Sequence, residues 1–196
     1  MPPVLPRFHA GWPLNDFFDA IRHAIVQGVA VLLSPMPLEI RAATPEDAPA
    51  ACHLMRRSIT ELCFADHRND QAILKRWLSN KTPEVFVSWI RQPVSSLLVA
   101  VENGSILAVG AVTDAGEITL NYVSPDARFR GVSRALLAAL EGRAMEQGNT
   151  RCILKSTETA RQFYLSNGYV EDGLSAGKFG TSSGYPMAKW LVPSVL

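Results

Sequence analysis

The feature that most constrains this chain is a set of three β-patterned segments in mid-sequence, joined by turns too short for anything but antiparallel neighbours. Leu97–Glu102 and Ser105–Val112 are separated only by Asn103-Gly104. Asn-Gly is the preferred two-residue hairpin turn, because both positions need positive φ. A looser turn at Asp114-Ala115-Gly116 leads into Glu117–Val123. There Ile118, Leu120 and Tyr122 alternate with Glu117, Thr119 and Asn121, the pattern of a half-buried strand.

Elements of a different period flank this meander. Leu38-Glu39-Ile40-Arg41-Ala42 alternates as a first strand. Thr44-Pro45-Glu46-Asp47 then reads as a helix start, with a Thr N-cap, Pro at the first position and acids that suit the dipole. The helix it opens carries Ala48, Ala51, Cys52, Met55, Ile59 and Leu62 on one face. Further helices are expected over Asp70–Leu78 and from Thr82-Pro83-Glu84. Beyond the meander, Gly131–Gln147 reads as a helix with Val132, Leu136 and Leu140 at i, i+4 spacing. A strand follows over Arg151–Lys155, then a helix over Glu158–Ser166 stopped by Asn167-Gly168. Tyr169–Glu171 and Met187–Leu191 read as closing strands. The order predicts an α/β (α+β) fold, with a mixed, mostly antiparallel central sheet and helices on both faces.

The first 37 residues differ in character. Six prolines punctuate them, around one helical candidate at Leu14–Gln27 with Phe17, Phe18, Ile21 and Ile25 at helical spacing. They read as an N-terminal extension, residues 1–37, ahead of a domain over 38–196, and Met36 offers a second starting point. Ile25–Leu33, preceded by Arg7 and Arg22, has the layout of a signal peptide, but no small-x-small cleavage site follows it. The longest uncharged stretch, His23–Leu38, is broken by Gln27, Gly28, Pro35 and Pro37, so no membrane span is expected. Cys52, Cys63 and Cys152 are too few and too widely spaced for a disulfide framework or a zinc site, and a cytoplasmic setting is expected. With 19 basic and 18 acidic side chains, the net charge is +1, which argues against an extended nucleic-acid surface.

A small anion site fits that balance. Val123-Ser124-Pro125-Asp126-Ala127-Arg128-Phe129-Arg130-Gly131-Val132-Ser133 joins a strand to a helix, with Arg128, Gly131 and Ser133 in an R-x-x-G-x-S arrangement. Helix N-termini present unpaired N–H groups and partial positive charge. Gly131 lets the backbone approach an anion closely, and Arg128 and Arg130 add fork-shaped donors. An ordinary strand–helix loop with two solvated arginines explains the segment alone equally well. The dinucleotide-binding G-x-G-x-x-G is absent.

With its surroundings, the segment resembles the acetyl-CoA-binding motif of the GNAT superfamily of N-acetyltransferases, Q/R-x-x-G-x-G/A. Arg128 and Gly131 match, and Ser133 replaces the final small residue. Ser156–Tyr169 is similar to the family's A-x-x-F/L-Y-x-x-x-G-F/Y element, with Ala160, Phe163, Tyr164, Gly168 and Tyr169 in register. The resemblance covers about Leu38 to Leu191. The middle of the chain, with Leu62-Cys63, His67, Trp77-Leu78 and Tyr122-Val123-Ser124-Pro125, also looks like a bacterial YafP-type branch.

The resemblance implies a sheet with a V-shaped splay and acetyl transfer from acetyl-CoA to a primary amine of a small molecule or protein, with no metal. It places the pyrophosphate at Arg128, Phe129, Arg130, Gly131, Val132 and Ser133, and the pantetheine arm along the backbone of Tyr122 and Val123. Thr157 becomes a helix cap that can also meet pantetheine. Tyr164 becomes the general acid for the leaving thiolate, against the alternative of a core tyrosine. Glu117, fourteen positions before Gly131, becomes the candidate general base, against the alternative of a solvated turn glutamate. His67 is a weaker candidate for the acceptor wall, and a Cys63–His67 nucleophilic pair weaker still. Homodimers are common in the resembled family. Two other functions stay open at this point: a non-catalytic acyl-CoA-binding or sensing module, and an unrelated enzyme of a phosphate ligand.

Overall fold

The computed structural model describes residues 37–175, 177 and 184–191. The N-terminal extension, with its expected helix Leu14–Gln27 and the leader-like Ile25–Leu33, lies outside these residues, Pro37 excepted. Strand β1 is Glu39–Ala42, followed by helices α1 (Ala48–Arg57), α2 (Phe64–His67), α3 (Gln71–Leu78) and α4 (Pro83–Ile90). Strands β2 (Ser95–Glu102), β3 (Ser105–Thr113) and β4 (Glu117–Val123) form the meander. Helix α5 (Val132–Glu146), strand β5 (Arg151–Ser156), helix α6 (Glu158–Ser166) and strands β6 (Val170–Glu171) and β7 (Tyr185–Trp190) complete the order.

The seven strands of the described residues lie in one sheet, ordered β1-β2-β3-β4-β5-β7-β6. Every pairing is antiparallel except β4 with β5. The hairpin turn is as expected, with Asn103 and Gly104 at φ 51° and 75°. Local chemistry sets the helix starts. Asp47 closes a capping box with Thr44 and takes a two-point ion pair from Arg41, at 2.7 and 2.9 Å, which ties β1 to the start of α1. Asp70 accepts from the N–H groups of Ala72 and Ile73, and Thr82 from that of Val85.

Helices cover both faces. On one, Leu136, Leu137 and Leu140 of α5 pack with Cys152, Leu154, Tyr164, Tyr169 and Met187. Gly110 of β3 makes this approach close, since a Cβ there would meet Leu140 Cδ1 at 2.8 Å. On the other face, Ala51 and Met55 of α1 and Phe86 of α4 pack on Val99 and Val109. A satellite cluster of Ile59, Cys63 and Trp77 extends that side, with Tyr122 against it.

Two features depart from the simple reading. The first helix does not run regularly to Leu62, because its backbone widens to π geometry over Ser58–Leu62 before ending at Cys63. Such bulges recur where a helix is bent around a functional site. The alternation of Ile118, Leu120 and Tyr122 also does not place them on one face. Ala111 pairs with Leu120 and Val112 with Ile118, so Thr119 is an extra residue, a β-bulge. The bulge reverses the parity of the strand. Ile118 joins the α5 side, whereas Leu120 and Tyr122 join the α1 side.

Candidate active site

The cleft comes from a failure of strand pairing. β4 and β5 share two register positions, Glu117 with Ile153 and Ile118 with Leu154, and then diverge. Beyond them β4 pairs with β3, and β5 with β7. The gap opens a cleft of about 620 Å³, lined by both strands, by the loop into α5 and by side chains from both faces of the sheet. It therefore passes through the sheet from one helical layer to the other.

One wall is the start of α5. Ser124 caps a short turn at Pro125–Ala127, and Arg128 follows in extended conformation. Phe129 and Gly131 are left-handed, at φ 60° and 81°. Left-handed residues set into a turn curl the backbone N–H groups into a concave anion-binding arc. A Cβ on Gly131 would meet no atom within 4 Å, so the glycine answers to its φ and not to crowding. The left-handed conformation of Phe129 costs about 1–2 kcal/mol. Gly131 is the N-cap, and among the described residues no side-chain cap bond is made to the helix. Gly131, Val132, Ser133 and Arg134 all line the cleft, so the unpaired N–H groups of the first turn open onto it.

The two motif arginines part company. Arg128 lines the cleft, with its guanidinium 4.6 Å from the centroid of the Phe129 ring. Arg130 pairs instead with Glu102 at 2.5 Å, outside the lining residues. Its expected place at the pyrophosphate is not where its side chain goes. Arg134, which the motif did not single out, takes a position in the cleft. Its spacing of i+3 from Gly131, within the first turn, is the signal that marks it.

The start of α6 is built the opposite way. Thr157 Oγ1 accepts from the Ala160 N–H at 3.2 Å, confirming the cap, and Thr157 also lines the cleft. The buried carboxylate of Asp66, at the end of α2, accepts from the N–H groups of Glu158 (2.8 Å) and Thr159 (3.2 Å) and from the Thr159 hydroxyl (2.6 Å). Sequence reading missed Asp66, because its partners lie more than 90 residues away. It ties the helices of one face to α6 on the other.

Tyr164 is buried on the inner face of α6 and lines the cleft. Its ring stands edge-on to Phe163 and Tyr169, with centroids at 5.2 and 5.5 Å. Burial pushes its phenol up to about 12, while the Asn121 side chain beside it pulls the other way. Asn121 Oδ1 is itself buried and has no hydrogen-bond partner among the described residues.

The wall on the α1 side is apolar and aromatic. Ser58, Leu62, Cys63, Trp77 and Tyr122 line it. The Trp77 indole donates to the Tyr122 hydroxyl at 3.1 Å, and burial raises that phenol further. The Tyr122 side chain thus belongs to this wall, while the backbone of Tyr122 and Val123 follows the open edge of β4. Burial pushes the Cys63 thiol up to about 12, so it stays protonated. His67 is fully buried outside the lining, and its Nδ1 accepts from the Asn69 N–H at 3.0 Å. That arrangement removes both the Cys63–His67 pair and a place for His67 in the acceptor wall. Glu117 is exposed at the closed end of the splay, where β4 still pairs with β5, and does not line the cleft. The geometry therefore does not bring the candidate base to the site.

Residues 63–191 match the model of the acetyltransferase (GNAT) domain. The chain belongs to the GNAT acetyltransferase family. Solved structures share its fold at low identity. PaiA N-acetyltransferase of Thermoplasma acidophilum, in complex with coenzyme A, is 18% identical, with a TM-score of 0.69 over 79% of this chain and 99% of its own. A GCN5-related N-acetyltransferase of Rhodopseudomonas palustris is 23% identical, with a TM-score of 0.70 over 81% and 99%. YncA of Salmonella typhimurium, with its cofactor acetyl-CoA, is 19% identical, with a TM-score of 0.61 over 82% and 98%. No curated protein matches the chain. Among the described residues of this GNAT protein, no helix is long and apolar enough to cross a membrane.

Proposed function

We propose that this chain moves an acetyl group from acetyl-CoA to an amine nitrogen by direct attack on the thioester. The observation that carries the reading is a cleft through the sheet, with an uncapped helix start on one side and Tyr164 buried in its lining. The donor set fits acetyl-CoA. The N–H groups at Gly131–Arg134, with Arg128 and Arg134, suit a pyrophosphate. The open edge of β4 at Tyr122 and Val123 suits an amide-bearing arm. The unpartnered Asn121 Oδ1 offers an acceptor to an N–H of that arm. Bound there, acetyl-CoA supplies the activated acyl group.

The amine enters from the opposite face, against Leu62, Cys63, Trp77 and Tyr122. Its lone pair forms the N–C bond at the thioester carbonyl. A β4 N–H is positioned to stabilise the charge on the carbonyl oxygen. The C–S bond then breaks, and the thiolate takes the Tyr164 proton. We assign loss of the amine proton to solvent entering from the acceptor side, so the rate follows the amine's own titration. The acceptor is a small-molecule or protein amine.

Glu117's position outside the cleft favours a second reading, a module that holds acyl-CoA without transferring its acyl group. Release of free CoA thiol, followed across a panel of amines, separates the two. Amine-dependent thiol supports transfer. Tight CoA binding with thiol release no faster than hydrolysis supports the module.

A further inference from the structure

Phe129 has no structural occupation. The residue is 94% exposed, and it belongs to none of the hydrophobic clusters among the described residues. Its backbone is left-handed, a conformation that Gly or Asn adopts more readily. One face of the ring lies against the Arg128 guanidinium, at 4.6 Å, and the ring stands at the rim of the cleft. An exposed aromatic in a strained position, backed by a cation at a ligand-binding loop, is the kind of feature that a ligand accounts for.

The donor's chemistry says which part meets it. The pyrophosphate of acetyl-CoA joins the pantetheine arm to the adenosine. With the arm running inward along β4 and the pyrophosphate on the first turn of α5, the adenosine must leave outward, past the rim. We propose that Phe129 is a stacking platform for the adenine of the donor, with Arg128 bracing the ring from behind and facing the phosphates. This rests on the acetyl-CoA reading and adds to it. The donor is recognised at its nucleotide end as well as at its thioester, so carriers that present pantetheine without a nucleotide are disfavoured.

The test is calorimetric titration of the full-length chain with CoA and with 4′-phosphopantetheine, which shares the thiol arm and one phosphate but has no base. Phe129→Gly removes the ring at a φ that glycine adopts freely, and Phe129→Trp keeps a ring. In Phe129→Gly, CoA binding is expected to weaken about tenfold, while phosphopantetheine binding changes by less than about twofold. Phe129→Trp is expected to bind CoA as the unaltered chain does. Equal weakening of both ligands in Phe129→Gly would overturn the platform, since the ring would then serve only to shape the loop. Unchanged CoA binding in that variant would overturn it too. If the unaltered chain binds neither ligand, the acetyl-CoA reading itself fails, and that outcome is visible before any variant is made.

Discussion

The helices α5 and α6 begin on the same cleft, and their first turns are finished in opposite ways. At α5 no side chain caps the N–H groups, and arginines stand beside them. At α6 three of the first N–H groups already have partners, Asp66 for two and Thr157 for the third. An unpaired helix start attracts an anion, and one filled by a carboxylate repels it. On the acetyl-CoA reading proposed above, the same backbone feature serves as a binding site in one place and as an anchor in the other. The anchor holds Tyr164, two turns further along α6, against the cleft.

That contrast can be broken from either side. The largest effect is expected from Tyr164→Phe. It leaves both helix starts intact, so CoA affinity should hold while turnover falls about a hundredfold. A collapse of affinity with unchanged turnover per bound CoA would make Tyr164 a packing residue. Next comes Asp66→Ala, which strips the α6 anchor. With two part-buried N–H groups left without their carboxylate, unfolding free energy should fall by about 1–3 kcal/mol in urea titration, and turnover with it. Ser133→Asp makes the start of α5 resemble that of α6. Two readouts should then move in opposite directions. CoA affinity falls by about tenfold through like-charge repulsion, while the helix gains about 0.3–1 kcal/mol from the acid in its first turn. Thr157→Ala removes only the third partner at α6 and should cost about 1 kcal/mol.

The smallest effect is a null result in pH. Burial raises the Tyr164 phenol to about 12, so its proton-bearing form persists further into the alkaline range than that of a free tyrosine. Turnover with an already neutral amine should stay level from about pH 7 to 10 and fall only nearer that value. An alkaline loss centred near 9 would mean that a different group supplies the proton.

Much of this was legible because local chemistry decided it. Asn103-Gly104 fixes its hairpin by φ alone, Thr82-Pro83-Glu84 fixes a helix start, and Glu117–Val123 and Glu158–Ser166 form over the bounds read for them, though not with the face alternation read for the first. The left-handed turn at Phe129 and Gly131, ahead of α5, lies within a motif of adjacent residues. What stayed hidden depends on distant partners or on register. Arg128 and Arg130 look equivalent in sequence, and only the approach of Glu102 separates them. Asp66 reads as one more acid on a short helix until α6 is folded against it. The widened turn at Ser58–Leu62 has the same apolar spacing as a regular helix. Glu117 stands at the spacing the resemblance requires, yet the pairing of β4 with β5 closes the cleft before reaching it.

Thr119 is exposed and unremarkable in kind, yet it is the one residue that β4 carries over the count of β3 within their ladder. The bulge absorbs it, so Ile118 stays opposite Val112 and Leu120 opposite Ala111, with Asn121 turned toward Tyr164 and Tyr122 toward Trp77. Shortening the strand by that residue would leave these pairs in plain alternation, with the amide and the phenol each on the face it already occupies. For this acetyltransferase the bulge is slack in β4, so deleting Thr119 should be better tolerated than deleting Leu120, which packs against the α1-side core.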